Sequence, residues 1–176
     1  NAPFMVEAQA LSVETVDYRV LNLAREDIVW HSVGELIQDV PGQEMLGLNI
    51  VEFAGDDEAQ IDGQVAALSQ RLDSLLTERQ AGVIGYQLCH DLAGIERIYA
   101  MRKKAVGLLG NSKGQAKPIP FAEDTCVPTQ HLADYIAEFR ALLDSHNLTY
   151  GMFGHVDARV LHVRPAVDMC HPQQEM

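Results

Sequence analysis

Residues 151–165 read GMFGHVDARVLHVRP, two apolar-rich runs of strand length on either side of Asp157-Ala158-Arg159. Runs from Leu148 to His155 and from Val160 to Arg164, joined by so short a loop, predict an antiparallel hairpin. With the turn centred on Ala158–Arg159, His155 and His162 face each other directly on one side of the ladder. Directly opposed residues have Cβ atoms ~5 Å apart. Two imidazoles at that spacing can converge on one divalent cation, since Zn–N bonds are only ~2 Å long. Arg164 lies two residues beyond His162 and so shares its face, where a guanidinium can grip a carboxylate through two hydrogen bonds. The plainer alternative is two unrelated histidines and a surface arginine, because a metal site needs a third ligand.

Outward from the hairpin, the periodicity alternates between strand and helix. Val13, Val16, Val20, Leu21 and Leu23 read as one helical side within Ser12–Ile37, which Pro41-Gly42 ends. Leu46–Phe53 is strand-like, and Gly55-Asp56-Asp57 follows, where an aspartate can accept hydrogen bonds from the free N–H groups of a helix start. That helix carries Ile61, Val65, Leu68, Leu72, Leu75 and Leu76 on one face. A second strand is expected at Val83–Cys89, and a helix from about Gly94 to Leu109. A Gly/Ser/Lys-rich loop, Gly110–Lys117, has the composition of a mobile segment. Pro118–Ala122 suits an edge strand. Pro128-Thr129 opens a last helix with Leu132, Tyr135, Ile136, Phe139, Leu142 and Leu143 as its stripe. The order predicts an α+β fold of ferredoxin-like type, a mainly antiparallel sheet with helices packed on one face, as one domain over residues 1–176.

Composition narrows the function. There are 25 acidic and 13 basic residues, a formal charge of −12, which repels nucleic-acid backbones and anionic membrane surfaces. A local basic pocket for a small anion is not opposed by that field. Cys89, Cys126 and Cys170 form no C-x-x-C pair, so this chain builds neither a zinc ribbon nor an iron–sulfur site, and reduced thiols point to the cytoplasm. No apolar run approaches the roughly 20 residues that span a bilayer, so no transmembrane segment is expected. Asn1-Ala2 has the look of a tag scar and Glu175-Met176 of a cut inside a helix start, so the chain is expected to be a fragment.

The hairpin resembles the C-terminal domain of the FAD-linked oxidases of the vanillyl-alcohol oxidase type. Their G-H-x-G-D-G-N-x-H motif is matched in frame by Gly154, His155 and His162, although Asp157-Ala158-Arg159-Val160 stands where the motif has G-D-G-N. Versions ending in L-H-V-R-P resemble long bacterial members with an added iron–sulfur portion. IERIYAMRKKAVGLL (95–109) is similar to the family helix whose arginine contacts substrate. KPIPFAEDTCVP (117–128) is similar to its K-P-x-x-F-x-E-D-T-x-V-P segment, and Gly55-Asp56-Asp57-Glu58 to its F-x-G-D-D-E opening. The resemblance covers about Leu46 to Pro165.

The resemblance implies a piece of an FAD-dependent 2-hydroxy acid dehydrogenase, of the D-lactate or D-2-hydroxyglutarate type, the extra basic residues favouring the latter. It implies FAD held mainly by the parent's own N-terminal domain, absent from this chain. His155 and His162 would be ligands to a divalent metal such as Zn, and Arg102, Lys117 and Arg164 substrate-binding residues. No catalytic residue falls in the chain, because the family's third ligand and base lie in a downstream E-H-G. A parent bearing a 4Fe–4S cluster, cytoplasmic or peripheral to the inner membrane, is within the resemblance. The fragment alone is expected to be inactive. The rival reading is a stand-alone α+β ligand-binding or regulatory module without redox chemistry.

Overall fold

The computed structural model describes residues 2–79, 82–110, 114–120 and 122–171. Residues 111–113 of the expected mobile loop, Phe121 of the K-P-x-x-F segment and the terminal Glu175-Met176 lie outside the described residues. The chain runs α1 (Ala2–Glu7), β1 (Ser12–Asp17), α2 (Tyr18–Glu26), a 3-10 turn (Ile28–Ser32), β2 (Gly47–Glu52), α3 (Glu58–Glu78) and α4 (Leu92–Leu109). It continues through β3 (Lys117–Pro118), β4 (Ala122–Cys126), a second 3-10 turn (Thr129–His131), α5 (Leu132–Ser145), β5 (Tyr150–His155) and β6 (Val160–Val167). All strand pairs are antiparallel, in the order β2-β1-β5-β6, with β3 and β4 both laid along the far side of β6. The α+β class and antiparallel sheet are therefore as the periodicity predicted.

The helices cover both faces instead of one. Alternate strand residues explain how. Val16 and Phe153 point to one side and pack with Val20 and Ala24 of α2 and Met101, Ala105 and Leu109 of α4. Tyr150, Met152, Leu161 and Val163 point to the other side and pack with Leu143 of α5, while Met5, Val13, Leu132 and Val156 extend that layer under α1.

This two-sided burial is also why Ser12–Asp17 is a strand and not the start of a helix. Val13 and Val16 are both buried, though they lie on opposite faces, and this imitates a helical repeat. β-branched Val13, Thr15 and Val16 suit the pleated backbone. Asp17 then starts α2: its side chain accepts from Val20 N (2.9 Å) and also from Met152 N of β5 (3.1 Å). Burial raises the Asp17 pKa above the usual carboxylate value, and those two N–H groups, Arg140 and Arg19 work in the opposite direction.

Asp57 caps α3 as its position predicted, accepting from Ala59 N and Gln60 N at 3.0 and 3.2 Å. The apolar stripe of α3 is only partly covered, with Leu68 and Leu75 buried. The expected strand at Val83–Cys89 is absent. Its backbone joins no ladder; Tyr86 instead donates to Asp73 (2.9 Å), and Gln87 accepts from Gln38 N (3.0 Å). Asp91 opens α4 by accepting from Gly94 N at 2.7 Å.

Candidate functional site

The β5–β6 hairpin closes through a four-residue turn, 156–159, and not through a two-residue turn centred on Ala158–Arg159. Two contacts hold it: the Asp157 side chain accepts from Val13 N of β1 (3.0 Å), and Arg159 O accepts from Val127 N (2.9 Å). Arg159 adopts φ 62°, a left-handed conformation that glycine would take more easily. The longer turn moves the register, so that His155 faces Val160 and His162 faces Phe153. The two histidines are thus diagonal neighbours and not directly opposed as expected. The slip is by two positions in pairing, and a period-2 strand keeps its faces under such a slip. Their rings meet, with centroids 5.4 Å apart and planes at 88°.

Each imidazole is tied through Nδ1 to a glutamate. Glu14 of β1 meets His155 Nδ1 at 2.8 Å, and Glu123 of β4 meets His162 Nδ1 at 3.0 Å. Asp124 N also points at His162 Nδ1, at 3.4 Å. An Nδ1 cannot both accept from that N–H and donate to a carboxylate. The shorter contact decides for donation to Glu123, since an ionised carboxylate only accepts. Burial opposes ionisation of Glu123, but its hydrogen bond with Arg164 and the charges of Arg164 and His162 outweigh this and hold its pKa below the usual value. With Nδ1–H committed, Nε2 is the atom that carries the lone pair in the neutral form of each ring.

Both glutamates also bind an arginine. Arg102 of α4 donates through Nη2 to Glu14 (2.5 Å), and Arg164 donates through Nε and Nη2 to Glu123 (2.9 and 3.3 Å). Phe153 lies among them: His162 stacks on it with centroids 4.8 Å apart, and the Arg102 and Arg164 guanidinium carbons lie 5.7 and 5.0 Å from its centroid. The Arg102 Nε is buried and has no acceptor among the described residues. A donor in that condition costs roughly 1–3 kcal/mol. Beyond Glu14 the polar strip continues to Tyr99, whose hydroxyl donates to Glu52 (2.6 Å) and shares a hydrogen bond with Ser12 (2.9 Å). Burial first, then the Glu52 hydrogen bond, push the Tyr99 pKa up to about 12.

Four of the five residues chosen from the sequence therefore converge: His155, His162, Arg102 and Arg164. Lys117 does not join them. It pairs with Val167, and strand alternation puts Val167 on the opposite face of β6 from His162 and Arg164. The sequence reading missed Glu14, hidden inside the expected helix, and Glu123, which entered only as part of the K-P-x-x-F-x-E-D-T-x-V-P segment. Glu14 does carry a signal: it is the one charge within Val13-Glu14-Thr15-Val16. Among the described residues no group of three His, Cys, Asp or Glu side chains is arranged to hold a metal ion. In its neutral form each imidazole would offer one donor, Nε2, so the pair could supply part of a divalent cation's ligand set.

Fold and site define a class: a helix-flanked antiparallel sheet presenting paired histidines and paired arginines, each tied to a glutamate. The chain belongs to the family described as FAD linked oxidases, C-terminal domain, whose family model matches residues 1–176. It is 82% identical over all 176 residues to a D-2-hydroxyglutarate dehydrogenase of Escherichia coli (strain K12). It is also similar to proteins of the same name from Haemophilus influenzae, 68% identical over 174 residues, and Pseudomonas putida, 51% identical over 174 residues. These alignments cover 99 to 100% of the chain but only 17% of each relative's length.

Proposed function

We propose that this chain supplies the metal- and substrate-facing side of the active site in an FAD-dependent dehydrogenase of D-2-hydroxyglutarate. The observation that carries the reading is the convergence of His155, His162, Arg102 and Arg164 on one face of the hairpin, in a chain whose similar proteins bear that name. D-2-hydroxyglutarate is a dianion, and two guanidiniums beside an imidazole pair suit its two carboxylates better than the single carboxylate of D-lactate. Lys117, on the other face, is left out of this arrangement.

His155 and His162 would hold a divalent metal such as Zn through their Nε2 atoms, with further ligands from elsewhere in the parent. Bound metal would polarise the substrate hydroxyl and bound FAD would accept the hydride from C2. This chain's own part is orientation. Arg102 and Arg164 would attract the carboxylates, and Arg102 Nε is a buried donor with no acceptor among the described residues. Phe153 and the helices behind it close one wall against water. No residue of the chain is assigned as the base.

The remaining 83% of a relative's length leaves room for an FAD domain and for the 4Fe–4S portion that the family resemblance implies. No helix among the described residues is long and apolar enough to cross a membrane. The family resemblance, and not that observation, is what suggests a parent in the cytoplasm or peripheral to the inner membrane. The reading is tested by mixing the full-length protein anaerobically with D-2-hydroxyglutarate, its L isomer and D-lactate while following the flavin absorbance. Selective bleaching by the D-2-hydroxyglutarate supports the reading. A full-length protein that binds no flavin overturns it in favour of a ligand-binding module, and bleaching indifferent to His162→Ala overturns the role given to the histidines.

A further inference from the structure

We infer that Glu14 is a positioning residue: its carboxylate selects the tautomer of His155 and, through the same group, locks Arg102 beside it. The inference rests on the functional reading above for its consequence, but its geometry stands alone. Glu14 lies on β1, side chain 14% exposed, and splits its two oxygens between partners: Oε1 to His155 Nδ1 at 2.8 Å, Oε2 to Arg102 Nη2 at 2.5 Å. A guanidinium keeps its proton at any working pH, so the Arg102 side fixes Oε2 as an acceptor. An ionised carboxylate offers no proton on Oε1 either, so His155 must present Nδ1–H. In the neutral ring Nε2 is then the lone-pair atom, and the ring is held in one orientation.

The pattern occurs twice. Glu123 likewise serves one histidine and one arginine, though with a different division: Oε1 accepts from Arg164 Nε, and Oε2 meets both Arg164 Nη2 and His162 Nδ1. Each histidine is thereby set by a carboxylate whose charge is secured by an arginine of the same site. Outer-shell carboxylates on metal-binding histidines commonly change metal affinity 10- to 100-fold when lost. Glu14 differs from a simple outer-shell partner in that it also sets the arginine, so its loss disturbs metal and substrate together.

Glu14→Gln separates positioning from packing. The shapes match, but one amide group cannot accept from both partners. Its oxygen goes to the Arg102 cation and its NH2 to His155 Nδ1, which drives the imidazole to the Nε2–H form, unable to ligate. In 15N-histidine-labelled chain without metal, long-range 1H–15N correlation spectra should show His155 as Nδ1–H, and as Nε2–H in Glu14→Gln. In full-length protein, Co2+ titrated as the probe, read by its visible absorption bands, should bind 10- to 100-fold more weakly to Glu14→Gln, with the thermal midpoint little changed. KM for D-2-hydroxyglutarate should rise in Glu14→Ala, where Arg102 is released too. His155 found as Nε2–H in the unsubstituted chain overturns the inference whether or not any variant folds. So does an unchanged Co2+ affinity in Glu14→Gln when His155→Ala abolishes binding. If His155→Ala leaves Co2+ binding intact, the functional reading fails instead, and the tautomer spectra alone decide the role of Glu14.

Discussion

The two faces of the β5–β6 hairpin are built from alternate residues of the same strands, yet they solve different problems. One side, Tyr150, Met152, Leu161 and Val163, is apolar and sealed under α5. The other carries His155, His162 and Arg164, each paired to a glutamate, with Phe153 and Gly151 sealed under α2 and α4. Burial on the first side is nonspecific in direction and rewards area removed from water. On the second side each imidazole and guanidinium has a carboxylate partner, because an unpaired buried charge would cost more than the pair returns. The difference teaches that stability and chemistry were assigned to opposite sides of one ladder, which lets them be perturbed separately.

The largest expected effect breaks the apolar side. Leu161→Ala removes a side chain 2% exposed, packed among Leu143, Tyr150, Met152 and Val163. A loss of about 2–5 kcal/mol in urea unfolding is expected, with metal affinity per folded molecule retained. If Co2+ binding falls in proportion, the two faces are not separable.

Next comes the polar side. His155→Ala should lower metal content and turnover of the full-length protein by more than about 100-fold, beyond what outer-shell losses produce. His155 is 38% exposed in its side chain, so the stability change should stay within about 1 kcal/mol. A collapse of the thermal midpoint would assign this histidine to the core.

A third change tests where the polar side itself becomes structural. A Cβ at Gly151 would meet Leu109 Cδ2 at 2.5 Å and Val20 at 3.1 Å. Gly151→Ala should therefore cost about 1–3 kcal/mol by overpacking, while His155 and His162, farther along the strands, keep their metal affinity.

The smallest effect concerns the end of the polar strip. The folded Tyr99 pKa of about 12 lies above the ordinary 10.0. For a group raised on folding, the stabilisation is complete below the unfolded pKa and disappears as pH climbs through the folded one. Ultraviolet titration of the chain minus that of Tyr99→Phe should reveal one phenol ionising with a midpoint near 12. A midpoint near the ordinary value would mean that the Glu52–Tyr99–Ser12 contacts are not maintained in solution.

Much of the fold was legible because its signals are local. Asp57 before the Ile61–Leu76 stripe announced α3, and Gly154, His155 and His162 kept the frame of a known motif. Two elements misled for one reason. At Ser12–Asp17 both faces are buried, so the period of two was erased. At Val83–Cys89 strand-like residues met no ladder, since side-chain contacts to Asp73 and Gln38 hold that segment instead. Within the site, Arg102 and Arg164 could be nominated from motif position. Glu14 could not be joined to His155, 141 residues away in the chain.

The amino-acid order alone determined the alternation of elements, the capping of α3, and the placing of both histidines on one face of a hairpin. Each depends on groups within a few residues of one another. Only the tertiary structure decided the register, set by Asp157 on β1 and Arg159 beside Val127. It alone decided which carboxylate meets which imidazole. Hydrogen bonds between distant strands leave no periodic trace in sequence, because their geometry exists only after the sheet has assembled.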